Sequence, residues 1–356
     1  MARTEQPLPD AAAWARRLGV SREAVEIHRA AATFDLHIES FIWTRVFRYD
    51  LGRRHARTAL GGRLFGQVDL PRLRDSGVAG ACMSIATNPL RPMESRRRAV
   101  RLNVARLRRS LVAAGAAVVE DVAAFDRARA NDQLACFIGI QGANAMHPDD
   151  LGTPALAPVS RVTLVHLTRS RHGSSSAPGG GDSGLRPEGR LMVESLRAHR
   201  VLLDLAHASP RTFWAALDAH GHGAHRSDAP VIVSHTGARA VHQSWRNLDD
   251  AQIRAIAASG GVVGVMFHAG FLTDSPRRAT AGDVVRHIEH IIRVGGEETA
   301  AIGSDYDGFI IPPRDLRDVA ALPRLTQAML DAGHAPERIV RVLGANALRP
   351  LRVLRP

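Results

Sequence analysis

Lysine is absent from the 356 residues, so all 47 basic residues are arginine. Several kinds of active site need a lysine side chain: the Walker A phosphate loop, the Schiff base of pyridoxal enzymes and of one class of aldolases, and the ATP site of protein kinases. The carboxylated lysine that bridges two metal ions in some barrel hydrolases is excluded as well. Histidine, acidic residues and metal ions remain as the catalytic groups to consider.

Aromatic residues make up 4% of the chain, and there are two cysteines. Despite a net charge of +12, so few aromatics provide no stacking surface for bases, and we predict no nucleic-acid partner. The densest arginine run, 94–109, has apolar residues at helical spacing, which indicates a helix with a solvated arginine face. Cys82 and Cys136 lie in apolar runs and form no disulfide framework, which favours a reducing compartment.

Long hydrophobic runs are also missing. The first 20 residues contain no continuous apolar segment of the kind found in secretory signals, and no run of about 18 apolar residues is available to span a membrane. We therefore predict a cytoplasmic protein with no membrane partner. The sequence leaves the oligomeric state open, a homodimer included.

Short β-forming runs alternate with longer amphipathic segments. The strands are predicted near 31–37, 78–85, 134–140, 161–166, 201–207, 231–235, 261–266 and 299–305, and helices near 96–126, 187–199, 210–220, 249–259 and 281–294. This alternation predicts a parallel (β/α)8 TIM-type barrel. A doubly wound open sheet has the same local pattern, although no Gly-x-Gly-x-x-Gly motif follows the first strand.

The division of the chain follows from the same pattern. Residues 1–30 are predicted to form an N-terminal helical extension, and residues 31–356 a single barrel domain whose last part, after residue 312, is a helical cap. The segment 173–184 is rich in glycine and serine, so we expect a loop at the mouth of a site.

Polar side chains come at the point where most of the apolar runs end. They are His37, Gln141, His166, His207, His235 and Asp305. Because the carboxyl ends of barrel strands meet on one face, we expect these side chains to share a pocket. A single histidine at a strand end is more often structural, but four of them together with an acid favour a metal site, since imidazole and carboxylate are zinc ligands.

Four consecutive segments carry a resemblance to a known family. They read LLDLAHASPRTFWAAL, APVIVSHTGARAV, RNLDDAQIRAIAASGGVVGVMF and AAIGSDYDGF, and GANALRPLRVL near the C-terminus agrees with them. In order and spacing they resemble the membrane (renal) dipeptidase family of zinc peptidases, from about residue 33 to about residue 354. The resemblance implies a metallo-dependent hydrolase barrel with a two-metal site that cleaves dipeptides, often with a D-residue on the C-terminal side.

The resemblance also implies the roles of individual residues. His207 and His235 match the pair that binds one zinc ion, and His37 matches a ligand of the other. His166 matches the histidine that contacts the substrate or the tetrahedral intermediate.

Two further residues match positions that bind the two ends of the substrate. Arg246 matches the arginine that binds the substrate carboxylate, a role for which the planar guanidinium is suited. Asp305 matches the acid that anchors the substrate amine and helps to move protons, while Asp307 is expected to brace its loop.

Two residues depart from the family pattern. Glu39, which we expect to be a metal ligand beside His37, stands where the family has aspartate, and its extra methylene moves the carboxylate outward by about one carbon–carbon bond. Gln141 stands where the family has a glutamate that bridges the metals, and a neutral amide offers one oxygen where a carboxylate offers two anionic ones. Two dications would then lack a compensating charge. We expect one zinc ion per chain in preference to two, with an empty site as the remaining alternative.

The expected function is hydrolysis of a dipeptide or small amide by a water molecule that the metal activates. His166 would stabilise the oxyanion, and Asp305 would pass the proton to the leaving amine. Two alternatives stay open: a metal-depleted family member that binds a small peptide or metabolite without cleaving it, and a changed reaction in a biosynthetic pathway. Family membership does not separate them, and each has a small-molecule partner.

Overall fold

A computed structural model describes residues 10–55, 65–88, 91–168, 170–222 and 228–356. Residues 1–9 of the predicted N-terminal extension lie outside the described residues. The rest of that extension consists of two helices, α1 (Ala11–Leu18) and α2 (Arg22–Ala30). Asp10 and Ser21 cap them by accepting hydrogen bonds from backbone N–H groups of the first turns, as the residue types favour. The division into an extension and a barrel domain stays a prediction.

Nine parallel strands occur in the described residues. They are β1 (Thr33–Ile38), β2 (Val78–Ala86), β3 (Ala117–Val118), β4 (Ala135–Gln141), β5 (Val159–Thr163), β6 (Leu202–Asp204), β7 (Val231–Thr236), β8 (Val263–Val265) and β9 (Ala300–Ile302). Eight of them pair in the order β1-β2-β4-β5-β6-β7-β8-β9, and the short β3 pairs with β4 outside this path. These eight are the strands that the sequence predicts.

The chain that follows β9 returns to β1. Ile38 forms a parallel bridge with Tyr306, and the N–H of Asp305 donates to the carbonyl oxygen of His37 at 3.0 Å. The sheet is therefore a nearly closed barrel, which confirms the (β/α)8 fold, whereas the alternative of an open doubly wound sheet is wrong.

Helices cover the outside of the barrel and its end. They are α3 (Phe41–Phe47), α4 (Leu70–Asp75), α5 (Met93–Ala113), α6 (Val122–Ala130), α7 (Pro187–Ala198), α8 (Pro210–Leu217), α9 (Asp250–Ala258), α10 (Ala269–Leu272), α11 (Ala281–Gly295), α12 (Pro323–Asp331), α13 (Pro336–Val340) and α14 (Asn346–Leu354). The last three form the predicted C-terminal cap. Among the described helices, none is both long enough and apolar enough to cross a bilayer.

One predicted helix is wrong. The segment 96–126 is divided between α5 and α6, with a turn and the strand β3 between them. Gly115 turns the chain with φ of +79°, a left-handed conformation that glycine adopts without strain. Asp121 then accepts a hydrogen bond from the N–H of Ala124 and begins the second helix. The alanine-rich stretch keeps a helical pattern across the break, which is why the pattern alone does not show it.

The core places the site at one end of the barrel. Strands β1 and β4 are buried along their whole length, as expected for parallel strands that are covered on both faces. In β4 apolar side chains continue up to Gln141, whereas in β1 the buried polar residues Thr33, Asp35 and His37 alternate with apolar ones. Polar side chains at these ends are therefore held by strands that cannot shift without disturbing the core.

Candidate active site

Three predicted site residues come together where β1, β7 and β9 end. His37, His235 and Asp305 are buried, and each offers a ligand atom within 4.8 Å of those of the other two. His37 Nε2 lies 3.6 Å from Asp305 Oδ1 and 3.2 Å from Glu39 Oε1. The imidazole rings of His37 and His235 stack with their centroids 3.8 Å apart. This group provides the nitrogen and oxygen ligands that zinc prefers.

The contacts continue from His235 to the strands on its other side. His207 Nε2 lies 3.0 Å from His235 Nε2, and the His207 ring packs edge-on against His166 at 4.7 Å. Gln141 Nε2 in turn donates to His166 Nε2 at 3.3 Å. The structure thus brings the predicted metal, substrate and bridging positions into one continuous series of contacts.

Arg246, in the loop after β7, contacts the same group of buried side chains through His235. It is 4% exposed, and its Nη2 donates to the carbonyl oxygen of His235 at 2.7 Å. Thr236 fixes the backbone of this loop by donating its hydroxyl to the carbonyl oxygen of Arg246 at 2.8 Å. Burial lowers the pKa of Arg246 to about 10, so the guanidinium remains charged at neutral pH.

Burial keeps the histidines of the site neutral. It lowers the pKa of His37, His207 and His235 well below the ordinary value, and the neighbouring cationic groups act in the same direction. For His166, burial and the charge of Arg246 lower the pKa to about 3. Neutral imidazole is the form that binds a metal ion.

The two acids show the opposite effect. Burial raises the pKa of Glu39 to about 7. Burial raises the pKa of Asp305 as well, and the nearby Glu39 adds to the shift. A cation between these groups would stabilise both carboxylates and reverse the shifts.

Several buried polar atoms of this group have no hydrogen-bond partner among the described residues. They are His37 Nε2, Glu39 Oε1, Gln141 Oε1 and His207 Nδ1. Buried polar atoms without partners are rare, and each needs an explanation. His37 Nε2 and Glu39 Oε1 lie 3.2 Å apart, and a buried nitrogen and oxygen at this distance fit a divalent cation.

Backbone strain marks the site, a feature that the sequence pattern does not predict. His207, Asp305, Asp307 and Phe309 have φ between +60° and +67°, a region that non-glycine residues seldom adopt. Such residues cluster at functional sites when the surrounding structure holds them in place. Asp307 does this for its loop, because its carboxylate accepts hydrogen bonds from the N–H groups of Gln67 at 2.8 Å and Val68 at 3.2 Å.

The predicted loop 173–184 lies beside His207. The N–H of Ser176 donates to the carbonyl oxygen of His207 at 2.7 Å, and Ser209 donates its hydroxyl to Asp182 at 2.6 Å. The loop therefore packs against the segment that carries one of the proposed ligands, in agreement with its predicted place at the site.

Arg161 is a further buried residue beside the site, and no motif in the sequence points to it. It is 1% exposed and lies inside the barrel, where its guanidinium forms an ion pair with Asp204 and donates to Ser84. The signal in the sequence is an arginine at the start of the predicted strand 161–166, and the pattern gives no indication of its partners.

Comparison with known proteins gives a family match. The sequence profile of the membrane dipeptidase family, peptidase family M19, matches residues 21–355. A protein of Klebsiella pneumoniae described as an uncharacterised protein in the pqqA 5′ region is 34% identical over 237 residues, which are 64% of this chain and 84% of that protein. An uncharacterised dipeptidase of Schizosaccharomyces pombe is 33% identical over 238 residues, 64% of this chain and 54% of its own length.

A solved structure shows the same architecture. The metallopeptidase of Rhodobacter sphaeroides, crystallised with a phosphinate mimic of the dipeptide L-Ala-D-Ala, superposes with a TM-score of 0.75 and is 25% identical. The superposition covers 90% of this chain and 98% of the other.

Proposed function

The chain belongs to the membrane dipeptidase family (peptidase family M19), and from this premise we propose that it hydrolyses a dipeptide or small dipeptide-like amide with one zinc ion per chain. The observation that carries the proposal is the continuous series of buried contacts from Glu39 through His37, His235 and His207 to His166. Family membership makes the chain a hydrolytic enzyme; the substrate and the number of ions are our inference.

The ligands of the ion would be His207 and His235, whose Nε2 atoms face each other at 3.0 Å. Asp305 groups with His37 and His235 and no contact joins it to His207 among the described residues, so its part in the proposal is proton transfer. A bound zinc ion lowers the pKa of water and polarises a carbonyl group. The amide of Gln141 carries no charge to offset a second dication, so one ion per chain is the state that this pocket favours.

The remaining side chains would bind the substrate and move its protons. Arg246, charged and buried, would hold the terminal carboxylate. An N–H of the neutral His166 would stabilise the oxyanion. Asp305 would take up a proton and pass it to the leaving amine.

The substrate would be a dipeptide, and a D-residue on its C-terminal side is part of the proposal. The phosphinate mimic of L-Ala-D-Ala bound to the Rhodobacter sphaeroides metallopeptidase supports this choice. We place the enzyme in the cytoplasm, which the two free and buried cysteines support.

A second candidate function is favoured by Gln141 and Glu39. A chain that binds a small peptide or metabolite without cleaving it would retain Arg246 for the carboxylate and would need no metal. A changed reaction in a biosynthetic pathway is the third alternative, and the same experiment bears on it, because it predicts metal without turnover of dipeptides.

The test is a zinc count on the purified protein together with a panel of dipeptides that includes D-residues at the C-terminal side. One zinc per chain and turnover of a dipeptide support the proposal. Two zinc ions per chain with rapid turnover contradict the single-ion part, and no metal with no turnover favours the binding protein.

The variant Gln141→Glu tests whether Gln141 limits the protein to one zinc ion. The carboxylate should admit a second zinc ion, bound more weakly than the first, whereas Gln141→Met, a neutral control of similar length, should keep one. Elemental analysis after dialysis against a fixed free zinc concentration gives the count. If Gln141→Glu binds no more zinc than the control, Gln141 does not occupy the bridging position.

A further inference from the structure

A hydrogen-bonded network lies inside the barrel beneath the histidines, with Arg161 at its centre. Arg161 pairs with Asp204 and donates through Nη2 to Ser84. Through Nη1 it also donates to Ser234 Oγ at 3.2 Å and to Thr163 Oγ1 at 2.9 Å. These residues are fully buried, so each hydroxyl hydrogen must find its acceptor within the protein.

The Ser234 branch fixes the proton of His235. Burial alone would raise the pKa of Asp204, but Arg161 and the N–H and O–H donors around it hold that pKa below its usual value, so Asp204 is a carboxylate that only accepts. Ser234 therefore donates its single hydrogen to Asp204 Oδ2 at 2.6 Å. Towards His235 Nδ1, 2.8 Å away, Ser234 can only accept. His235 then carries its proton on Nδ1, and its Nε2 is free to bind a metal ion.

The hydrogen bond between Ser84 and His37 runs in the opposite direction, from the serine hydroxyl to the imidazole. Ser84 Oγ accepts from Arg161, and among the described residues its own hydrogen has one acceptor within reach, His37 Nδ1 at 3.2 Å. A neutral His37 that accepts at Nδ1 carries its proton on Nε2. That N–H faces the oxygen atoms of Glu39 and Asp305 at 3.2 and 3.6 Å.

We propose that the Arg161–Asp204 pair, acting through Ser84 and Ser234, holds His37 and His235 in opposite tautomers, so that His235 is presented as a metal ligand and His37 as a hydrogen-bond donor. Arg161, Asp204 and the two serines are positioning residues. For His37 to bind zinc through Nε2, its proton must move to Nδ1, which leaves the Ser84 hydrogen buried without an acceptor. A buried hydroxyl hydrogen without an acceptor should weaken the binding of zinc by His37 about 10- to 100-fold.

The metal part of this inference rests on the proposed single-ion site, but the tautomers are a property of the metal-free protein. The first measurement is therefore a two-bond ¹H–¹⁵N spectrum of the metal-free enzyme with ¹⁵N-labelled histidine, in which the two tautomers of imidazole have different nitrogen shifts. We expect the Nδ1–H form for His235 and the Nε2–H form for His37. The same tautomer at both residues would overturn the proposal.

Ser234→Ala and Ser84→Ala are matched variants, because each removes one hydroxyl from the same buried network. Ser234→Ala should shift the imidazole resonances of His235, and Ser84→Ala those of His37, so the two variants assign these resonances. Ser234→Ala should weaken zinc binding about 10- to 100-fold, as loss of a ligand's hydrogen-bond partner does elsewhere. Ser84→Ala should change it less than about threefold. Equal losses in the two variants would contradict the assigned roles.

The two proposals can fail separately. A zinc count of two or of none contradicts the proposed function, while the spectra of the metal-free protein still decide the tautomers. A zinc count of one with identical tautomers at His37 and His235 contradicts only the positioning role of the network.

Discussion

Replacing Arg246 by methionine removes the guanidinium from the site and leaves a side chain of similar length. Arg246 is 4% exposed, and its Nη2 is held by the carbonyl oxygen of His235 at 2.7 Å. No other acceptor among the described residues lies within hydrogen-bonding distance of the guanidinium. Its remaining N–H groups are therefore available to a ligand, in an orientation that the bond to His235 already fixes.

The size of the effect follows from the type of contact. A hydrogen bond to a charged group contributes about 1.5–3 kcal/mol, and at this burial salt screens it little. For a dipeptide with a free carboxylate, Arg246→Met should therefore lower kcat/KM by roughly 10- to 150-fold, mainly through a higher KM. Arg246→Lys keeps the charge but loses the planar fork, so its loss should be smaller.

The assay compares the best dipeptide of the panel with its C-terminal amide, in the wild type and in Arg246→Met. In Arg246→Met, kcat/KM should fall roughly 10- to 150-fold for the free acid. For the amide it should fall less than about threefold, because the amide has no carboxylate to bind. Zinc content serves as the control and should not change. An equal loss on both substrates would refute the reasoning and show that Arg246 acts by holding the backbone of His235.

Two predictions concern stability. A Cβ added at Gly264 would lie 2.0 Å from the carbonyl oxygen of Ser234, so Gly264→Ala should lower the free energy of unfolding by at least about 2 kcal/mol. Gly282→Ala, in the first turn of α11, meets no atom closer than 3.5 Å and should raise that free energy by about 0.5–1 kcal/mol. Chemical denaturation compares them, and equal stabilities would contradict the packing argument. Burial lowers the pKa of His28 to about 4, although a hydrogen bond to Ser76 opposes it. The unfolded chain therefore binds a proton that the folded chain does not, and stability is lost as the pH falls from about 6.5 towards 4. This residue contributes about 3 kcal/mol to the loss, so His28→Gln should reduce the difference in unfolding free energy between pH 7 and pH 4, and an unchanged difference would count against the assignment.

The strands could be predicted because a parallel barrel buries both faces of each strand, which leaves continuous apolar runs in the sequence. Their ends were less predictable. The runs at 201–207 and 299–305 continue past the paired residues Leu202–Asp204 and Ala300–Ile302. At His207 and Asp305 the backbone adopts a left-handed conformation. A run of apolar residues does not show where the hydrogen bonding between strands ends.

The members of the site could also be predicted, since they stand at the ends of strands that the fold brings to one face. Their mutual arrangement could not. Arg161 and Asp204 are 43 residues apart, and Ser84 and Ser234 lie on two further strands, so no local pattern links them. Hydrogen-bond direction depends on which acceptors each hydroxyl meets, and only the assembled barrel determines that.

Two arguments support the proposed single metal ion. One concerns charge: Gln141 brings no negative charge to a buried pocket in which a second dication needs one. The other concerns protons: in the proposed tautomers Ser84 donates its hydrogen to His37 Nδ1, 3.2 Å away, and this opposes the tautomer in which His37 would bind a second ion. Gln141→Glu changes the charge and leaves the proton arrangement in place, so the second zinc ion that it admits should remain weaker than the first. If instead both ions bound equally in that variant, charge alone would have limited the native site, and the orientation of His37 would have no part in it.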